Sequence, residues 1–122
     1  MPPRSIKSPS ALFNTIDYVT ISSGGGASDF GDLNTPGATD SKVQSGAVTS
    51  NNTRGLYMGG HSPDTTAGSG GRQNIIQFVT IASTGDASDF GDMYDDVYST
   101  TGTASNARGI FAGGTSSGGD TY

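Results

Sequence analysis

The chain has no cysteine, no tryptophan and no glutamate among its 122 residues, only three leucines and two lysines, and no long apolar run. Each absence excludes something. Without cysteine there are neither disulfides nor thiolate metal sites, and the redox compartment cannot be read. With Glu missing and Leu and Lys scarce, the residues that build helix surfaces are not there. No segment of about 18 apolar residues occurs, so no membrane-spanning helix and no membrane insertion is expected. The first ten residues hold two basic residues but no apolar stretch of signal-peptide type behind them. Six Lys and Arg against eleven Asp give a net charge of −5, and six scattered cations make no patch for phosphates; nucleic acid is not an expected partner.

Gly, Ser, Thr and Asp dominate, and the apolar residues fall into short β-branched and aromatic runs. That combination predicts an all-β fold with many tight turns. Leu, Ile, Val and Phe together number 20 of 122, below the roughly 20% at which disorder becomes a live alternative. The mild charge, the clustering of apolar residues and an internal repeat argue for order.

The repeat organises the chain. Val19-Thr20-Ile21 and Ala27-Ser28-Asp29-Phe30-Gly31-Asp32 return sixty positions later as Val79-Thr80-Ile81 and Ala87-Ser88-Asp89-Phe90-Gly91-Asp92. Arg54-Gly55-Leu56-Tyr57-Met58-Gly59-Gly60 returns as Arg108-Gly109-Ile110-Phe111-Ala112-Gly113-Gly114, offset by 54 because the first repeat carries six more residues in its middle. Units of this length are the mark of propeller blades or solenoid coils, which cannot bury their apolar faces alone. The expected division is an N-terminal arm at 1–13, repeat one at 14–60, a linker loop at 61–73, repeat two at 74–114 and a C-terminal tail at 115–122. The arm, with three of the five prolines, reads as a flexible terminus or a docking element. Residues 16–21 and 76–81 read as strands that are apolar on both sides, as in a strand sandwiched between two layers. Gly24-Gly25-Gly26 and Thr84-Gly85-Asp86 supply reversals.

A strand ending in Gly59-Gly60 after Tyr57, or in Gly113-Gly114 after Phe111, followed by a loop and two aromatic strands, resembles the kelch-type β-propeller blade. The fuller wording over 14–114 is similar to the divergent kelch-like repeats of structural and fibre proteins in tailed bacteriophages, marine ones in particular. Kelch blades usually carry a Trp on the last strand; this chain offers Phe30 and Phe90. The resemblance implies two blades per chain, a non-enzymatic virion component such as a capsid decoration or a tail, fibre or knob protein, and other virion proteins as partners. It also implies an extracellular particle as location, with loops presented to solvent or host surface. The alternative is a carbohydrate-binding propeller lectin recognising a host surface glycan, with Tyr94, Tyr98 and Tyr122 as candidate sugar platforms.

Two blades do not close a ring of four to eight. The order of pieces, an aromatic-strand half first and an Arg-Gly to Gly-Gly half last, suggests head-to-tail completion by further copies. Three copies would give six blades, the preferred number, and two would give four.

No cofactor is expected, and little catalytic chemistry stands out. Asp29, Asp32, Asp89 and Asp92, with Asp86, read as turn-building residues beside glycines or as weak Ca²⁺ candidates. His61-Ser62-Pro63-Asp64 holds residue types found in hydrolytic triads, but neighbours in sequence do not supply triad geometry. With one His and no Glu, general acid–base work would rest on Asp, and an enzyme is not expected. Arg54 and Arg108 recur at one position and suggest a salt bridge to an Asp of an adjacent blade or, failing that, a ligand contact. Asn51-Asn52-Thr53 fits a glycosylation pattern that polar chains match by chance.

Overall fold

The computed structural model describes residues 12–35, 43–62 and 71–116. All its regular structure is strand, in nine elements: β1 Thr15–Tyr18, β2 Ser28–Asp32, β3 Ala47–Ser50, β4 Arg54–Met58, β5 Gln73–Thr80, β6 Ser88–Tyr98, β7 Thr101–Ala104, β8 Gly109–Ala112 and β9 Thr115–Ser116. The protein is all-β, as its composition dictates. No helix among the described residues is long and apolar enough to cross a membrane.

Three antiparallel sheets form: a hairpin β1–β2, a five-stranded sheet ordered β3-β4-β5-β6-β9, and a hairpin β7–β8. The central sheet takes β4 from the first repeat and β5 from the second, so the structural unit is displaced by half a repeat from the sequence unit. The two hairpins are the remaining halves. By the offset of sixty, β1–β2 is the counterpart of β5–β6; by the offset of 54, β7–β8 is the counterpart of β3–β4.

The counterparts agree in detail. Ile16 pairs with Gly31 and Asp17 with Asp29, just as Ile76 pairs with Gly91 and Gln77 with Asp89. In each case one residue, Phe30 or Phe90, is left over as the extra residue of a β-bulge, and the glycine after it takes φ +153° or +149°. This is why the Asp-Phe-Gly-Asp wording repeats: the bulge requires a glycine and turns an aromatic ring out of the ladder. The rings lie edge-on to Tyr18 and Phe78, with centroids 6.0 Å apart in both pairs. The double glycine has a similar cause. Gly59 and Gly60 take φ +62° and +106°, and Gly113 and Gly114 +73° and +107°.

The hairpins cover opposite faces of the central sheet. Val48, Tyr57 and Gln77 are cross-strand neighbours and share a gap with Ile16 and Leu33 of the first hairpin. The next residues along, Thr49 and Leu56, therefore point to the other side, where they close on Gly109 of β8 so tightly that a Cβ there would lie 3.2 and 3.3 Å from them. The molecule is thus three layers, hairpin, sheet and hairpin.

The first hairpin is held to the sheet by backbone bonds. The Gly85 N–H donates to Phe30 O and the Ala87 N–H to Asp32 O, both at 2.8 Å. The Asp32 N–H donates to Asp86 Oδ1 at 3.0 Å. Gln77, wholly buried, donates through Nε2 to Thr35 Oγ1 at 2.7 Å and accepts the Asn34 N–H at 2.6 Å. On the far side, Asn51 Nδ2 donates to Asn106 O at 3.0 Å, while Asn51 Oδ1 accepts the N–H groups of Thr53 and Arg54 at 2.8 Å. Asn51 thereby closes its own turn and ties it to the equivalent one, where Ser105 Oγ accepts from Ala107 and Arg108.

Several expectations change. The strands foreseen at 16–21 and 76–81 are unequal: β5 runs as far as Thr80, one residue short of the expected end, but β1 stops at Tyr18 and the chain turns at 20–24, with the Ser23 and Gly24 N–H groups on Thr20 O. The cause is the neighbour. β5 is clamped between β4 and β6, and the Ile81 N–H donates to Thr53 O; among the described residues β1 pairs only with β2. The 115–122 tail opens with strand β9, paired to Val97 and Tyr98. In the linker, His61 bridges Gln44 and Arg72. Most of the expected arm at 1–13, residues 63–70 of the linker and residues 117–122 of the tail lie outside the described residues.

Candidate functional site

The features that stand out are two open strand edges and an uncovered aromatic face. Within the described residues β1 has a ladder only to β2, and β8 only to β7. Each leaves one row of backbone donors and acceptors unpaired, an arrangement that proteins otherwise cover or pair. The chain contains its own image of how such edges are completed. In the central sheet β4, the counterpart of β8, pairs with β5, the counterpart of β1: Arg54 with Thr80, Gly55 with Val79, Leu56 with Phe78, Tyr57 with Gln77 and Met58 with Ile76.

Burial separates the copies in the same sense. Phe30 is 9% exposed beneath the sheet, and its equivalent Phe90 is 52% exposed. Gln77 and Ala87 are buried, whereas Asp17 and Ala27 are exposed. Met58, Ala47 and Thr49 are buried, whereas Ala112, Thr101 and Thr103 are exposed. Val19 and Ile110, on the two open edges, are 54% and 58% exposed. Residues of one sequence pattern are covered where a neighbouring layer lies on them and bare where none of the described layers does.

The sequence-derived candidates fall into place around this frame. Asp29 and Asp32 lie in β2, and Asp89 and Asp92 in β6. They are strand residues flanking the bulge glycines, not turn builders as expected; of the acidic set it is Asp86 that sits in a turn, accepting the Asp32 N–H. Among the described residues no three His, Cys, Asp or Glu side chains gather as a metal site would need. Among the described residues Arg54 meets no Asp. Its guanidinium lies 4.8 Å from the centroid of the Phe78 ring, a cation–π contact that takes the place of the expected salt bridge. Arg108 stands by a cleft between sheet and second hairpin that Phe90, Leu56 and Gly109 also line. His61 packs against Tyr98 with ring centroids 5.5 Å apart, while Ser62 is wholly buried; Asp64 lies outside the described residues. Of the candidate sugar platforms, Tyr94 is fully exposed, Tyr98 is half-buried beside His61 and Arg72, and Tyr122 lies outside the described residues. Sequence reasoning missed Gly31 and Gly91 as site residues, although their place after each repeated Phe was the available signal.

Between first hairpin and sheet lies an apolar cavity of about 240 Å³, bounded by Ile16, Leu33, Val48, Tyr57, Gln77 and Val79. Its one buried amide is already satisfied by Thr35 and Asn34. Burial pushes the Tyr57 phenol above its ordinary 10.0, opposed in part by a hydrogen bond with the Gly46 backbone. A phenol whose folded pKa is raised stabilises the fold below the unfolded pKa, and that contribution is lost as pH rises through the folded value. Alkaline titration by tyrosinate absorbance should therefore show the Tyr57 phenol ionising late, together with unfolding. A Tyr57→Phe variant should lack this late step and hold its structure to higher pH.

No protein-family model matches the chain, and no curated protein is similar to it at a meaningful level.

Proposed function

We propose that the protein is a non-enzymatic structural component that works as a self-assembled ring of propeller blades. On the resemblance of its repeat to the kelch-like repeats of tailed-phage structural and fibre proteins, it is a virion component, either a capsid decoration or a tail, fibre or knob protein. The observation that carries the assembly is the presence in one chain of a complete four-strand meander, β3 to β6, together with the two complementary halves of another, each with an open edge. Three copies supply six blades and two supply four. Short turns at the strand ends, such as those at 51–53 and 105–107, then face outward as the surface offered to solvent or host.

Static light scattering on the purified chain tests the assembly. A trimer or dimer mass that persists on dilution is the expected result, and a monomer removes the reading. The virion assignment is tested separately, by antibodies to the chain on purified phage particles; unlabelled particles would remove it while leaving the assembly.

A second reading, a glycan-binding lectin, is favoured by the fully exposed ring of Tyr94, since sugars stack on such platforms. Binding on a glycan array that disappears in Tyr94→Ala would support it. An array without hits leaves the structural role.

A further inference from the structure

We infer that the partner at both open edges is a second copy of this chain, whose β1 adds beside β8 in the register that the chain uses internally between β4 and β5. This rests on the assembly proposed above and specifies its contact. Transferring the internal pairing by the offsets of 54 and 60 sets Arg108 opposite Thr20 of the second copy, Gly109 opposite Val19, Ile110 opposite Tyr18, Phe111 opposite Asp17 and Ala112 opposite Ile16.

Three observations converge on that register. The first is the backbone. The Ile81 N–H reaches Thr53 O and the Gly59 N–H reaches Ile75 O, so in the alternation of an antiparallel ladder Val79 and Gln77 turn their N–H groups toward β4. Val19 and Asp17 by the same geometry turn theirs to the open edge of β1, where β8 of another copy would accept them.

The second is the aromatic face. If β1–β2 of a second copy extends β7–β8 to four strands, it lies over β5–β6 as this chain's own sheet lies over Phe30. Phe90 is then covered by the face that carries Asp17, Val19 and Ala27. The bonds holding Phe30 have their equivalents ready: the Gly25 N–H of the second copy to Phe90 O and its Ala27 N–H to Asp92 O, matching Gly85 to Phe30 and Ala87 to Asp32. Phe90, Val19 and Ile110 are three of the large apolar side chains left exposed in the single chain, and this one contact covers all of them.

The third is Arg108. Arg54 lies over Phe78, the residue opposite Leu56; Arg108 is set the same way over Tyr18 of the second copy. That gives a reason for both arginines to recur at the same position of the repeat.

Ile110 and Tyr18 correspond to Leu56 and Phe78, a non-hydrogen-bonded pair, whose Cα atoms lie about 4.5 Å apart in such ladders, within disulfide reach. The chain has no native cysteine, so a Tyr18→Cys/Ile110→Cys variant reads the register cleanly. Under mild oxidation it should pass into covalent multimers that dissolve on reduction. Val19→Cys/Ile110→Cys, which places the thiols on opposite faces of the ladder, should not. Both variants are also weighed under reducing conditions. An assembly of the expected mass in which the first pair fails to link, or links no better than the second, overturns the register and leaves the assembly standing. A monomeric mass for the wild-type chain overturns both.

Discussion

Phe30→Ala should be among the most damaging single substitutions in the protein, lowering stability by about 3–5 kcal/mol, the range for emptying a buried aromatic site. Phe30 is the ring by which the first hairpin enters the space beneath the sheet, and the described core is small: Phe30, Val43, Ala47, Met58 and Ala87 are its buried apolar residues. Native stability is itself only about 5–15 kcal/mol, so a loss of this size removes much of what there is. Urea unfolding followed by tyrosine fluorescence measures it directly. The matching Phe90→Ala change should cost clearly less in a dissociated chain, where half the ring is already in water, and should act instead on the oligomer mass. Equal losses in both variants at a concentration where the chain is monomeric would mean that the two rings have the same surroundings, against the difference in burial.

Gly31→Ala is expected to detach the first hairpin, whereas Gly91→Ala, the same position of the repeat, leaves the folded chain in place. The two glycines have nearly the same backbone, φ +153° and +149°, so the strain of forcing alanine there, about 1–3 kcal/mol, is common to both and cancels in the comparison. The surroundings differ. A Cβ on Gly31 would overlap the Gly85 carbonyl, while one on Gly91 meets nothing within 4 Å. Backbone atoms do not swing aside as a side chain does, so the overlap adds about 1–3 kcal/mol, the usual cost of overpacking. In an assembly the carbonyl of Gly25 from a second copy stands where Gly85 stands for Gly31. Gly91→Ala should therefore dissociate the oligomer into folded monomers. Thermal melts give the first half of this prediction and light scattering the second. Comparable melting losses for the two variants as monomers would contradict the steric account, and an intact oligomer in Gly91→Ala would count against the inter-chain contact.

Composition and periodicity determined a good deal by themselves. A chain without Glu, poor in Leu and Lys, and rich in Gly, Ser, Thr and Asp has no material for helix surfaces, so the all-β class followed from residue types alone. The repeat was legible because it is written twice, and with it the equivalence of Phe30 with Phe90, Arg54 with Arg108 and Gly59-Gly60 with Gly113-Gly114. Positive φ was legible in the reversals, where Gly24, Gly25 and Gly85 adopt it, since an obligatory backbone conformation leaves a residue-type signature.

What the sequence left open was everything that depends on which neighbour a strand finds. Residues 16–21 and 76–81 read alike, yet β5 runs Gln73–Thr80 and β1 only Thr15–Tyr18, because strand length is set by ladder partners on both sides and β1 has one among the described residues. The arginines looked like partners for carboxylates; the fold put Arg54 over Phe78, a ring brought beside it by the cross-strand pairing of β4 with β5. The aspartates beside Phe30 and Phe90 looked like turn residues, but the bulge needs the following glycine and carries the acids along inside the strands. Above all, identical wording does not fix burial. Phe30 and Phe90 share their local sequence and their bulge, and they differ in exposure because the central sheet covers Phe30 and, among the described residues, no equivalent layer lies over Phe90. Local pattern is a property of consecutive residues, whereas coverage belongs to surfaces brought together from distant parts of a chain, and that only the tertiary structure decided.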